Sequence, residues 1–212
     1  MTTRTRLLRL VVSWLLVGVG VPMLVRADLG VAPFDVLTTG VSEATGWTLG
    51  VAFVLMSVTF FGTGHLLGGT IGWACLGGTV TIGVMVNVVL GATVEVQAMP
   101  IRVALLVVGM LIIATAICLV VSTELGPGPT EVVMVGLVRR GVGVIPARWI
   151  ADGSPVVVGA LLGGSIGVGT ILFAVVMGPM VKFGLGRLGY EPSRATTAPI
   201  ATTDISASEN SA

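Results

Sequence analysis

Long apolar runs with few charges recur along this chain and decide what kind of protein it can form. The chain has 212 residues, of which 54% are hydrophobic and only 10% are charged, whereas soluble domains carry about 25% charged residues. A helix needs about 20 apolar residues to cross a bilayer. The runs therefore predict an all-α membrane protein with six transmembrane helices, at residues 10–25, 47–67, 71–94, 101–122, 144–162 and 166–182.

Two further segments are predicted to be helical but are too short to cross. Residues 33–44 and 129–140 would each rise about 18 Å as helices, less than the bilayer core of about 30 Å. Each begins with a proline, Pro33 or Pro129, which suits the first position of a helix. Each also has an acid in its first turn, where a carboxylate favours the exposed amides and the helix dipole. We expect both segments to be re-entrant or interfacial helices.

The chain contains an internal duplication. Residues 27–40 and 123–136 are related by an offset of 96, with five of fourteen positions identical and two more exchanging one acid for the other. Residues 66–72 and 161–167 match at six of seven positions with an offset of 95. Agreement at a nearly constant offset indicates two structural repeats. The related pairs of the first block are Leu29/Leu125, Gly30/Gly126, Pro33/Pro129, Val36/Val132, Gly40/Gly136, Asp28/Glu124 and Asp35/Glu131.

Each repeat carries three predicted crossings, an odd number, so the second repeat is expected to be inverted relative to the first. The predicted organisation is a basic cytoplasmic lead at 1–9, a first repeat at 10–94, a second repeat at 101–188 and a disordered C-terminal tail at 189–212. Positive charges favour the cytoplasmic side. With both termini cytoplasmic, that side receives Arg4, Arg6, Arg9, Arg139, Arg140, Lys182, Arg187 and Arg194.

Residues 27–37, with the sequence ADLGVAPFDVL, resemble a motif of the YczE/YitT-like family of bacterial integral membrane proteins. Thr48-Leu49-Gly50 and Gly68-Gly69-Thr70-Ile71-Gly72 extend the resemblance, which covers roughly residues 7–188. The resemblance implies a multi-pass protein of the bacterial plasma membrane. It implies no biochemical activity and no catalytic residues.

The paired motifs supply the candidate functional residues. Inverted repeats with short or broken helices near the midplane are typical of secondary transporters, where half-helix ends face the substrate. On that hypothesis four residues shape re-entrant backbone, namely Gly30, Pro33, Gly126 and Pro129. Four acids then line a substrate or ion path and bind a cation or transfer protons, namely Asp28, Asp35, Glu124 and Glu131. The alternative is structural: Asp35 and Glu131 stabilise their helix ends, while Asp28 and Glu124 sit at the aqueous rim.

Arg148 and Asp152 are the other candidates for the path. They are four residues apart within one predicted helix, so they share a face. They could form an ion pair that makes both charges tolerable in lipid, or a gating pair along the path. Residues 52–56 of the first repeat are apolar, so the second repeat carries this charge pair alone.

Several classes of function are excluded by what the sequence lacks. It contains no P-loop, dinucleotide fingerprint, nucleophile elbow or HExxH motif, so we expect no enzyme and no cofactor. A formal net charge of +1 gives no electrostatic reason for a nucleic-acid partner. Cys75 and Cys118 lie inside apolar runs without metal-ligand spacing, so no metal site is expected.

The sequence therefore favours a small inverted-repeat permease for a small polar or charged solute or ion. It would work by alternating access between the two repeats. A non-transporting membrane scaffold or accessory factor is the alternative. The expected partner is the lipid bilayer, with a homodimer as an option because six helices make a thin shell around a cavity.

Overall fold

The computed structural model describes residues 3–126 and 128–189, apart from the side chain of Trp73. Within these residues the chain is all-helical, with eight helices and no strands, which confirms the predicted class at that level. The predicted tail lies, from residue 190 onward, outside the described residues. The helices are α1 (Thr3–Ala27), α2 (Pro33–Thr45), α3 (Leu49–Leu66), α4 (Trp73–Ala92), α5 (Met99–Val121), α6 (Pro129–Arg139), α7 (Val144–Leu161) and α8 (Val168–Arg187).

Helix α1 begins at Thr3 and so includes most of the segment predicted as a separate basic lead. Arginine is a good helix former, and residues 3–9 contain no glycine or proline to end the helix. The charged segment is therefore a helical extension of the first apolar run. The helix ends at Ala27, two residues after the predicted boundary.

Five of the described helices, α1, α3, α4, α5 and α8, are long and apolar enough to cross a membrane. Their outer faces suit lipid, because large apolar side chains there are not covered by the protein. Helix α7 is as long as α3 but carries Arg148 and Asp152, and it is not among the five. The chain is an integral, multi-pass membrane protein. On α4 the uncovered side chains recur every four residues and are more than half exposed: Leu76, Val80, Val84 and Val88.

Side-chain contacts fix how the central helices run. Arg9 near the start of α1 donates to Ser122 at the end of α5, with 3.1 Å from Nη1 to Oγ. Arg26 near the end of α1 donates to Thr93 after α4, with 3.2 Å from Nε to Oγ1. Helix α1 is therefore antiparallel to α5 and parallel to α4. We call the two ends of the bundle the Arg9 end and the Arg26 end.

Helix packing follows the duplication. Helices α1 and α5 pack against each other at the centre. Three further kinds of contact each occur twice, once between two helices and once between the helices at the equivalent positions of the other repeat. Helix α2 packs on α7 as α3 packs on α6, α1 packs on α4 as α5 packs on α8, and α2 packs on α3 as α6 packs on α7. The close packing of α3 on α4 has no counterpart of similar extent between α7 and α8.

Glycines explain why the second repeated block is so similar in its two copies. Gly69 follows α3 and lies against the carbonyl oxygen of Val132 in α6. Its repeat mate Gly164 follows α7 and lies against the carbonyl oxygen of Val36 in α2. A Cβ at either position would overlap that backbone oxygen. Each repeat thus holds the short helix of the other by backbone contact, which only glycine permits.

Candidate functional site

A cavity of about 310 Å³ lies inside the bundle, between residues of both repeats. Along α1 its lining runs from Leu10 to Val21, which corresponds to about 16 Å of helix. Leu10 neighbours Arg9, and Val121 at the end of α5 also lines the cavity. The cavity therefore extends from the Arg9 end towards the middle of the bundle.

Asp35, in the first turn of α2, lines this cavity. The residue is only 4% exposed. Among the described residues its carboxyl group has no hydrogen-bond or salt-bridge partner; Thr39 donates to the backbone oxygen of Asp35, not to the carboxyl. Helix α2 has 13 residues and is too short to cross the bilayer. Loss of solvent raises the pKa of the Asp35 carboxyl to about 7, because burial disfavours the charged form.

Glu131, the repeat mate of Asp35, lines the same cavity from the first turn of α6. Its environment differs, because its carboxylate forms a salt bridge with Arg148, with 3.5 Å from Oε1 to Nη1. Arg148 also donates to Asp152, with 2.5 Å from Nε to Oδ2. The predicted Arg148–Asp152 pair is therefore formed, and Glu131 joins it. Arg148 thus faces two carboxylates, whereas Asp35 has no cation beside it among the described residues.

The starts of α3 and α7 differ by 95 residues, so Phe53 and Ser57 occupy the first-repeat positions of Arg148 and Asp152. The sequence comparison aligned Arg148 and Asp152 with residues 52–56, and the structure shifts that alignment by one residue. Phe53 lines the cavity. The Ser57 hydroxyl is buried without a hydrogen-bond partner among the described residues. The first repeat therefore offers Asp35 no cation at the equivalent place.

Asp28 and Glu124 lie outside the residues that line the cavity. Both adopt the left-handed backbone conformation, with φ of 49° and 55° respectively, a region that non-glycine residues seldom occupy. The Asp28 side chain is 79% exposed and accepts from Arg102 at 2.7 Å. Arg102 also donates to the Ala27 carbonyl oxygen at 2.7 Å, at the end of α1. The two acids occupy equivalent turns, Asp28 between α1 and α2 and Glu124 between α5 and α6.

The four residues predicted to shape re-entrant backbone also differ in whether they line the cavity. Pro33 and Pro129 stand at the first positions of α2 and α6, as predicted. Gly126 and Pro129 line the cavity. Gly30, with φ of 105°, packs instead against the backbone of Gly167. Of the residues predicted for the path, the structure brings Asp35 and Glu131 to one cavity and leaves the path roles of all six as predictions.

Sequence reasoning missed the aromatic wall of this cavity. Trp14, Phe34, Phe53 and Phe61 all line it. The rings of Phe34 and Phe53 meet edge to face, with centroids 5.7 Å apart. Phe34 precedes Asp35 in the motif, and this was the one signal in the sequence. The other three rings belong to apolar runs where nothing distinguishes a wall from a core.

The corresponding region of the other half of the bundle is packed. The lining residues Leu10, Trp14 and Gly78 have the repeat mates Leu106, Met110 and Phe173. These three mates are at most 9% exposed and belong to one core cluster with Leu24. In the first repeat, by contrast, the Trp14 indole lies directly against Gly78, where a Cβ would come within 2.6 Å of its Nε1. The cavity therefore has no counterpart beside these three repeat mates.

Within the described residues, no three His, Cys, Asp or Glu side chains are grouped so that they could hold a metal ion. The Ser13 and Thr79 hydroxyls on the cavity wall donate to carbonyl oxygens of their own helices. The cavity therefore offers a ligand an apolar and aromatic surface, the Glu131 carboxylate beside Arg148, and the Asp35 carboxyl, which has no partner in the part of the chain that the structure describes.

Comparison with known proteins gives the family. No solved structure matches the chain. A protein of Haemophilus influenzae, described as "Uncharacterized protein", is 28% identical over 187 residues, which cover 84% of this chain and 82% of that protein. The model of a family of unknown function, DUF6198, matches residues 4–185. Because the match covers most of the sequence, the chain belongs to the DUF6198 family.

Proposed function

We propose that this protein is a small permease of the bacterial plasma membrane, built from two inverted three-crossing repeats with both termini cytoplasmic. It moves a small charged solute by alternating access between the repeats. The observation that carries this proposal is the shared cavity. The first-turn acids of both repeats, Asp35 and Glu131, line one cavity, while the repeat mates of its lining residues Leu10, Trp14 and Gly78 are packed in the core.

Contacts of α7 support a sixth crossing. Helix α6, which precedes α7, ends beside the α3–α4 loop, where Arg139 donates to Gly68 with 2.6 Å from Nη1 to the carbonyl oxygen. This loop lies at the Arg9 end, because α4 is parallel to α1. Helix α8, which follows α7, begins near the start of α5, where Gly169 packs on Leu106. Helix α7 therefore connects the Arg9 end to the Arg26 end.

The charges support the orientation. Arg139 and Arg140 bind carbonyl oxygens of the α3–α4 loop at the Arg9 end. Arg9 itself contacts the end of α5 at the same end. With the Arg9 end cytoplasmic, these residues satisfy the positive-inside rule, and the cavity faces the cytoplasm.

The family match and the family resemblance are compatible with a permease but do not distinguish it from other membrane proteins. Membership of DUF6198 carries no activity, and the resemblance to the YczE/YitT-like family stays a prediction. The proposal requires no nucleic acid, cofactor or catalytic residue. Assembly as one copy or as a homodimer within the lipid bilayer stays a prediction too.

The two cysteines test where the cavity opens. Cys75 lines the cavity, whereas Cys118 packs on Gly184 and donates to the Val181 carbonyl oxygen at 3.5 Å. A small, membrane-impermeant methanethiosulfonate should modify Cys75 at least about tenfold faster than Cys118. Labelling is measured by mass shift in Cys75→Ala and Cys118→Ala variants, in inverted and in right-side-out vesicles. Modification of Cys75 is expected from the cytoplasmic face, and equal rates for the two thiols would contradict the assignment.

A cysteine placed at Thr170 separates a permease from a scaffold. Thr170 is the repeat mate of Cys75, and it is 7% exposed in the packed half. Alternating access opens that half to the outside during each cycle, so Thr170→Cys in a Cys75→Ala background should be labelled from the extracytoplasmic face. A rigid scaffold would leave this position unlabelled from both faces, and that result would overturn the proposal.

A further inference from the structure

The cavity wall restricts the chemistry of what it can hold. The described residues that line it are mainly aliphatic and aromatic, and they include no lysine, arginine or histidine. The Ser13 and Thr79 hydroxyls are used within their own helices. A sugar, an amino acid or an inorganic anion would lose its hydrogen bonds with water and gain few in return, at a cost of roughly 1–3 kcal/mol for each group left unpaired. Polar solutes and anions therefore fit this cavity poorly.

A positive charge is the exception. Asp35 lines the cavity at 4% exposure, and its carboxyl has no partner among the described residues. Glu131 differs from Asp35 because it lies 3.5 Å from Arg148, a guanidinium that it shares with the closer Asp152. At Asp35 the cavity therefore offers a buried carboxyl without a partner among the described residues, which suits a positive charge on a ligand.

The aromatic side chains favour an organic cation over a bare metal ion. Trp14, Phe34 and Phe53 belong to the same wall as Asp35. A cation over an aromatic face gains about 0.5–2 kcal/mol, with the higher values at desolvated sites. Ca²⁺ and Mg²⁺ instead need six or more oxygen ligands, more than the described residues of this wall supply. The volume of about 310 Å³ falls at the small end of the roughly 300–1,000 Å³ found for small-molecule sites.

We infer that the ligand of this cavity is an organic cation with an apolar body, whose charge is bound by Asp35 and whose body packs on the aromatic wall. The inference deepens the proposed permease function, on which it rests for the idea that the bound cation is carried across the membrane. Binding of the cation, in contrast, follows from the cavity alone.

The test is a pair of probes that differ only in charge. Benzyltrimethylammonium is a cation, and neopentylbenzene is its neutral isostere with carbon in place of nitrogen. Binding of each to the full chain in mild detergent is measured by calorimetry, with titrations into empty micelles subtracted. The wild-type protein should bind the cation at least about tenfold more tightly than the isostere.

Two variants of α2 locate the charge recognition. Asp35→Asn should weaken cation binding at least about tenfold and leave binding of the isostere unchanged, which also shows that its cavity is folded. Glu43→Gln removes a carboxylate from an exposed position of the same helix and should bind both probes as the wild type does. Asp35→Glu should retain the preference for the cation. Equal binding of the two probes by the wild type, binding of neither, or a preference that survives Asp35→Asn would each overturn the inference.

Uptake into proteoliposomes separates this inference from the proposed function. Benzyltrimethylammonium uptake that is lost in Asp35→Asn and kept in Glu43→Gln supports both. Binding without uptake in either direction refutes the permease and leaves the cation site standing. Extracytoplasmic labelling of Thr170→Cys in a protein that binds neither probe would refute the cation site and leave the permease standing.

Discussion

Replacing Gly64 by alanine is expected to destabilise the protein, whereas the same change two residues away at Gly62 is not. A Cβ at Gly64 would lie 2.6 Å from Val132 Cγ1 and 2.8 Å from Val133 N in α6. A backbone cannot give way as a flexible side chain can, and overpacking costs about 1–3 kcal/mol or more. A Cβ at Gly62 would meet nothing within 4 Å. Alanine there gains helix propensity, worth up to about 1 kcal/mol.

The second repeat provides an independent copy of this experiment. In α7, a Cβ at Gly159 would meet the backbone of Val36 and Leu37, and a Cβ at Gly153 would meet nothing within 4 Å. Gly159→Ala should behave as Gly64→Ala does, and Gly153→Ala as Gly62→Ala does. The free energy of unfolding is measured by denaturant titration in mixed micelles. If the paired variants were equally stable, the short helices would not be held by the backbone contacts described for both repeats.

Neutralising Asp35 is expected to stabilise the protein above pH 7 and to change little near pH 4. The pKa of its carboxyl is about 7 in the folded protein and 3.8 in the reference state. Between these two pH values the folded chain holds a proton that the unfolded chain releases. The free energy of unfolding is therefore highest below pH 4 and falls as the pH rises to 7. The rise in pKa corresponds to a loss of about 4 kcal/mol.

Asp35→Asn removes this loss, so the variant should exceed the wild type by up to about 4 kcal/mol at pH 8. Glu131 and Cys75 also line the cavity and are present in both proteins, so the difference between the two curves isolates Asp35. The measurement is the free energy of unfolding from pH 4 to pH 8.5, with Glu43→Gln as the control for an exposed carboxylate of α2. Parallel curves for Asp35→Asn and the wild type would show that the carboxyl is solvated.

The helices were predictable from the sequence because their signals are local. The length of each apolar run, Pro33 and Pro129 at helix starts, and the double glycines after α3 and α7 all act within a few residues. The helical extension over residues 3–9 was missed for a local reason too. A charged segment was assigned to a lead, although arginine favours helix as well as most apolar residues do.

The difference between Asp35 and Glu131 could not be predicted, because it depends on residues brought in by other helices. The motifs place both acids in the first turn of a short helix. Whether each acid is paired depends on what α3 or α7 presents at the facing position, which is Phe53 in one repeat and Arg148 in the other. The cavity has a similar origin, since its lining residues come from six helices, α1 to α6, and the turn before α6. The spacing of residues within one helix does not determine such an arrangement.

Under the proposed permease function, the unequal packing of the two halves would set the populations of the two conformations. Opening the Arg26 end would expose side chains such as Met110, Phe173 and Leu24, which are now at most 9% exposed. Each costs about 1.5–3 kcal/mol to bring fully into water, so the conformation open at that end would be the minor one. The empty protein would therefore rest facing the Arg9 end. A solute that enters or leaves at the other end must supply the free-energy difference between the two conformations through its own binding.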